Sequence, residues 1–172
     1  MKRLGAIILV LALAACGASY RDARVGMASM AVFDAEKYAG LWYEVASFPT
    51  PFQSGCTNTT AEYQAISDGQ LSVSNRCIRD GQVTVIDGSA QIVGPGRLAV
   101  KLDGVPVTAD YWVLWVDDAY QTAVVGVPSG RAGWILNRTP KISPDRLKAA
   151  RDVMAFNGYN LSSLRMTPQG VK

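Results

Sequence analysis

Between Trp42 and Arg138 the chain is dominated by short stretches in which apolar and polar positions alternate. In 57–66, Thr59, Ala61, Tyr63 and Ala65 share one face, and Asn58, Thr60, Glu62 and Gln64 share the other. In 97–102, Leu98, Val100 and Leu102 oppose Arg97, Ala99 and Lys101. A period of two is that of a half-buried strand. The pattern predicts strands over 42–48, 57–66, 71–78, 83–93, 97–102, 110–116, 122–127 and 133–138, the fourth broken near Asp87 and Gly88. Ser67-Asp68-Gly69, Arg79-Asp80-Gly81 and Gly94-Pro95-Gly96 are turns between them. The period then changes. Leu147, Ala150, Val153 and Met154 form an apolar helical stripe, with Ser143 as N-cap, Pro144 and Asp145 in the first turn, and Asn157-Gly158 as the stop. A single helical turn is expected over 33–39 and a short last strand over 161–166. Residues 17–32 are small, polar and irregular, as in a tether.

Eight consecutive short strands fit a sandwich, a jelly roll or an up-and-down barrel. Tight turns between successive strands favour a meander, which removes its exposed edges by closing. The expected fold is all-β: an eight-stranded antiparallel up-and-down barrel with a C-terminal α-helix packed on the outside. Its interior is either filled by side chains or holds one small ligand. Period-two reading from Trp42 points Glu44, Ala46 and Phe48 inward. Tyr63, Leu71, Val73, Val85, Leu98, Val100, Tyr111, Val113, Trp134 and Leu136 are further inward candidates. A carboxylate such as Glu44 inside an apolar barrel is costly unless paired or protonated. A hydrogen bond to Tyr111 or another buried hydroxyl, or contact with a ligand head group, would satisfy it.

Composition removes several classes of function. The 172 residues suit one domain with a core of useful size, and 49% hydrophobic against 18% charged is globular usage. Histidine is absent, which removes Ser-His and Cys-His catalysis and His-ligated metal or haem sites. No catalytic constellation, metal site or cofactor is expected. The formal charge is +3, and without Lys2 and Arg3 it falls to +1, which gives no electrostatic case for nucleic acid.

Lys2 and Arg3, the apolar run 4–13 and then Ala14-Ala15-Cys16 read as a secretory signal, too short to span a bilayer. Leu13-Ala14-Ala15-Cys16 resembles the lipobox of bacterial lipoproteins, in which the cysteine is lipidated and becomes the mature N-terminus. An ordinary signal peptide with a chance cysteine is the alternative. The resemblance implies residues 1–15 as signal peptide, 16–32 as lipidated N-terminus and tether, and 33–172 as the folded domain. Gly17 rather than Asp after Cys16 implies sorting to the outer membrane, with the domain facing the periplasm. With Cys16 lipidated, Cys56 and Cys77 remain as a pair. In an oxidising compartment they read as a disulfide, and two free buried thiols are the other option.

Three short motifs occur in order along this frame. Gly40-Leu41-Trp42-Tyr43-Glu44 opens the first strand, Asp110-Tyr111-Trp112-Val113 lies in the sixth, and Arg138 closes the eighth before Thr139-Pro140. Together, over about 33–168, they resemble the three signature regions of the lipocalins. The second match is partial, because Ala109 separates Thr108 from Asp110. With the lipobox-like start and Trp134 to Pro140, the resemblance narrows to bacterial lipocalins of the outer-membrane lipoprotein type. It implies that Arg138 lies across Trp42 and stoppers one end of the barrel, with Gly40 allowing close backbone approach.

If one end is stoppered, the other admits ligand. The connection 49–55 sits there in the lipocalin pattern, and Phe48, Pro49, Pro51 and Phe52 would give it an apolar rim. Glu44, Phe48, Phe52, Tyr63, Tyr111, Val113 and Trp134 are the candidate ligand contacts. The resemblance implies a non-enzymatic binder of fatty acids or lysophospholipids, held to the membrane by its N-terminal lipid. Two alternatives are an enzyme using Glu44 and Tyr111 as acid–base groups, and a structural or protein-binding lipoprotein with a filled barrel. A homodimer is left open.

Overall fold

The computed structural model describes residues 19–67 and 69–171. The proposed signal peptide, Cys16 and Asp68 lie outside the described residues.

The strands follow the alternation closely: β1 (Gly40–Ser47), β2 (Thr57–Ser67), β3 (Gln70–Arg79), β4 (Gln82–Gly94), β5 (Arg97–Leu102), β6 (Thr108–Val116), β7 (Thr122–Gly126) and β8 (Gly133–Asn137). Each pairs antiparallel with the next, and β1 pairs with both β8 and β2, so the sheet closes. A two-residue β9 (Arg165–Met166) adds to β1. The short last strand is thus confined to two residues, because Leu161–Ser163 coils into a 3-10 turn. The fourth strand is continuous across Gly88, contrary to the expected break. Glycine serves there for close approach: a Cβ at Gly88 would collide with the Lys101 carbonyl of β5.

Closure divides the apolar residues into two sets. One fills the barrel, including Trp42, Tyr63, Leu71, Val73, Leu98, Val113, Val125 and Leu136. The other lies between the outer wall and the helix α2 (Pro144–Phe156): Val45, Ala46, Phe48, Leu114, Val124 and Ile135 meet Ala150 and Met154. A β-bulge in β1 decides membership. The register shifts between Glu44 and Ala46, so Val45 and Ala46 both face outward. Phe48 follows them outward, stacked between Tyr20 at 5.1 Å and Tyr159 at 5.0 Å. The inward placement expected for Ala46 and Phe48 is therefore overturned. Val85 is also outward and 52% exposed, because β3 pairs inward Val73 with Gly88 and so leaves Val85 opposite Arg76.

The helix ends differ from expectation in one detail. Ser143 has the extended N-cap backbone, but its hydroxyl makes no cap bond. Asn157 closes the C-terminus, its side-chain amide donating to the Val153 carbonyl, and Gly158 takes the left-handed backbone beyond it.

The segment expected as a tether packs on the barrel from Ser19 onward. Tyr20 N–H donates to the Gly130 carbonyl, Arg21 Nε to the Asn157 carbonyl, and Met30 N–H to the Val113 carbonyl. Residues 19–32 thus run down the outer wall to α1 (Ala35–Tyr38), which Asp34 caps. Polar composition marked this segment as irregular, which it is, but irregular backbone still binds edges and carbonyls.

Cys56 and Cys77 form a disulfide with a sequence separation of 21. It fastens the β1–β2 connection to β3. Replacing both by Ala should lower the unfolding free energy by about 3 kcal/mol in the loop-entropy account. Urea denaturation under oxidising conditions checks this. An unchanged midpoint would show that the bridge adds nothing.

Candidate functional site

The barrel has two unlike ends. The connections after β2, β4 and β6, together with α1, form the base. Those after β1, β3, β5 and β7 form the mouth, as up-and-down alternation requires.

At the base the Arg138 guanidinium lies 3.7 Å above the centre of the Trp42 ring. It donates to the carbonyls of Lys37, Tyr38, Ala39, Leu41 and Tyr120, so one side chain ties α1, β1 and the β6–β7 connection together. Trp42 Nε1 donates to the Tyr38 carbonyl at 2.8 Å. Partial burial lowers the arginine pKa from its usual value without discharging it at neutral pH. A cation over an indole in this setting stabilises by about 1–2 kcal/mol. Gly40 has φ +97°, and a Cβ there would lie 3.3 Å from the guanidinium. Gly40, Trp42 and Arg138 therefore meet as one structural unit.

Above this stopper, three tyrosines cross the lumen. Tyr63 on β2 donates to the Tyr111 hydroxyl on β6 at 2.8 Å, from the opposite wall. The Tyr38 hydroxyl lies 2.7 Å from Tyr111. Together they make a floor. Burial pushes all three phenols up, Tyr63 to about 12, because an anion in the dry lumen lacks solvation. Tyr63 and Val113 are sealed into floor and wall. Tyr111 and Trp134 stack at 6.1 Å and remain only partly buried. Leu102 and Ile86 also face inward and keep exposed surface. These side chains lie between floor and mouth.

Glu44 is 4% exposed and, of the partners expected for it, takes a hydroxyl other than that of Tyr111. Its carboxylate accepts from Gln53 Nε2 and from the Thr167 hydroxyl, each at 2.6 Å, while the Tyr111 hydroxyl is committed to Tyr38 and Tyr63. Glu44 and Tyr111 make no hydrogen bond to each other. Gln53 Oε1 in turn accepts from Trp134 Nε1 at 3.0 Å. The β1–β2 connection is thereby latched to β1 and β8 across the mouth. Thr59 Oγ1 is buried on the inward face with no partner among the described residues. Phe52, in the 3-10 turn Pro51–Gln53, is 64% exposed on the rim. Phe48 is not at this site at all.

Gln53, Thr167 and Tyr38 are the contributors that pattern reading missed. No local signal marks them. Gln53 and Thr167 reach Glu44 from 9 and 123 residues away in sequence. A groove of about 430 Å³ lies outside the barrel between Val45, Ile142, Leu147 and Met166.

This geometry has known relatives. The lipocalin-like domain family profile matches residues 33–169. The chain belongs to the lipocalin family. It is 39% identical over 145 residues to temperature-induced lipocalin-1 of Arabidopsis thaliana, covering 78% of each chain. It is 35% identical over 134 residues to the outer membrane lipoprotein Blc of Escherichia coli K12, covering 76% of each. With bovine apolipoprotein D the identity is 32% over 147 residues, covering 80% of this chain and 77% of that one. Among solved lipocalin structures, insecticyanin of the tobacco hornworm Manduca sexta superposes with a TM-score of 0.68 at 20% identity, over 83% of this chain and 84% of that one. That likeness concerns the fold.

The buried floor makes stability depend on pH in the alkaline range. Phenols with raised folded pKa values keep their protons while unfolded tyrosines ionise near 10. Their stabilisation is therefore full below that value and is lost as pH rises towards 12, at up to about 1.4 kcal/mol per pH unit for each group. Tyr63→Phe should flatten the decline between pH 10 and 12, measured by chemical denaturation. An identical slope in the variant would contradict the burial account.

Proposed function

We propose that the protein is a lipid carrier of the bacterial outer-membrane lipoprotein type, which shields single-chain amphiphiles without chemical turnover. Fatty acids and lysophospholipids are the ligand class. The observation that carries this reading is the lumen itself. It is closed below by Arg138 over Trp42, floored by the tyrosines and walled by aliphatic residues. An acyl chain entering it leaves water at a gain of roughly 0.8 kcal/mol per methylene. The unpartnered Thr59 hydroxyl and the Gln53 amide near the mouth supply polar contacts for a head group.

Anchoring at Cys16 is part of the same reading. It is supported by the lipobox-like Leu13-Ala14-Ala15-Cys16 and by the likeness to a protein named an outer membrane lipoprotein. One acyl chain binds membranes only marginally, so several chains on the cysteine are what hold the barrel at the surface. The carrier would then collect or deliver lipid where lipid is present.

Titrating delipidated protein with lysophosphatidylethanolamine and with palmitate, followed by tryptophan fluorescence, tests the ligand class. A saturable one-to-one change is expected, lost in Trp134→Phe and kept in Trp115→Phe. No saturable change with either lipid would overturn the reading.

A further inference from the structure

We propose that the mouth of the barrel is held against the membrane, so that the bilayer surface is the partner of the loops that surround it. This rests on the reading of Cys16 as the lipid-bearing residue. Ser19 is three residues beyond Cys16, and an extended chain spans at most about 3.6 Å per residue, so the lipid lies within about 11 Å of Ser19. Ser19 itself is held at the mouth. Its hydroxyl donates to the Ser129 carbonyl at 3.2 Å, and Tyr20 N–H donates to the Gly130 carbonyl at 2.7 Å. The Tyr20 hydroxyl reaches across to the Pro49 carbonyl at 2.7 Å. Ser129 and Gly130 belong to the β7–β8 connection and Pro49 to the β1–β2 connection, both of which crown the mouth. The stiff part of the chain thus begins beside the opening. No slack remains for the barrel to turn its base to the lipid.

The same end presents apolar side chains to whatever covers it. Phe52 is 64% exposed, Val107 in the β5–β6 hairpin is 63% exposed, and Phe156 is 79% exposed. Phe156 stands in the last turn of α2, which ends at the mouth, where the Tyr159 hydroxyl bonds Val127 and Ala132. Arg131 is exposed in the β7–β8 connection and offers a cation to anionic head groups. Exposure alone does not choose an end, because Val32 and Val93 near the base are exposed as well. The place where Ser19 and Tyr20 are fastened does choose one. Aromatic residues suit the interfacial zone, with an apolar body and tolerance for nearby water. In this pose a lipid tail passes from bilayer to lumen beneath the loop latched by Gln53, without crossing bulk water.

The full lipidated chain, reconstituted into vesicles of phosphatidylethanolamine and phosphatidylglycerol, provides the test. Val107→Cys and Val93→Cys place one reactive thiol at opposite ends, both at sites 63% exposed, while Cys56 and Cys77 stay bridged. Each is labelled with a nitrobenzoxadiazole dye, and lipids spin-labelled near the head group act as quencher. The dye at Val107 should be quenched several-fold more than the dye at Val93. Equal quenching, or more at Val93, in protein that floats with the vesicles overturns the orientation and leaves the anchor standing. Protein that does not float overturns the anchor, and the orientation with it.

Discussion

The closure of the sheet through β1 is the constraint on which everything else depends. β1 bonds β8 on one side and β2 on the other, and without the second pairing the molecule would be a curled sheet with two open edges. The β1–β2 ladder is short, from Gly40 opposite Tyr63 to Tyr43 opposite Thr60. Past it the strands separate. The C-terminal tail fills the gap: Thr167 N–H bonds the Val45 carbonyl, Asn58 N–H bonds the Pro168 carbonyl, and the Gln169 amide bonds the carbonyls of both Glu44 and Thr59. Closure is therefore direct at the base and mediated by the tail near the mouth.

That division explains why the ends differ in chemistry. The base is sealed by a cation over an indole that also bonds five carbonyls, a rigid arrangement with little room to adapt. The mouth is held by side-chain amides and hydroxyls around Glu44, with the β1–β2 connection tied at Gln53 and at the disulfide. Neutral donors around a carboxylate form a weaker and more exchangeable set than a buried ion pair. Binding and release of a ligand belong at such an end.

Much of the frame was legible in the amino-acid sequence because alternation is a local property. The faces of β2 and β5, the helix between Ser143 and Gly158, and the order Trp42, Tyr111, Arg138 all followed from neighbours in the chain. What escaped depends on partners far away. A single bulge at Val45 turned Phe48 from the lumen to the outer wall, and nothing in 44–48 announces it. Alternation places the Glu44 carboxylate inside, but its partners come from a loop and from the C-terminal tail. The stretch 19–32 looked like a linker because its own composition builds no core. Its hydrogen bonds go to carbonyls of β6 and of the β7–β8 connection.

The barrel interior and the outer groove beside Leu147 are the apolar surroundings between which a bound lipid tail has to be placed. Methyl-resolved NMR of the protein with one equivalent of lysophospholipid distinguishes them most directly. The account predicts intermolecular contacts from the acyl chain to the methyl groups of Val73, Val100 and Leu102, all on the inner wall. Contacts confined to Val45, Ile142 and Leu147, or none to the inner wall, would contradict it.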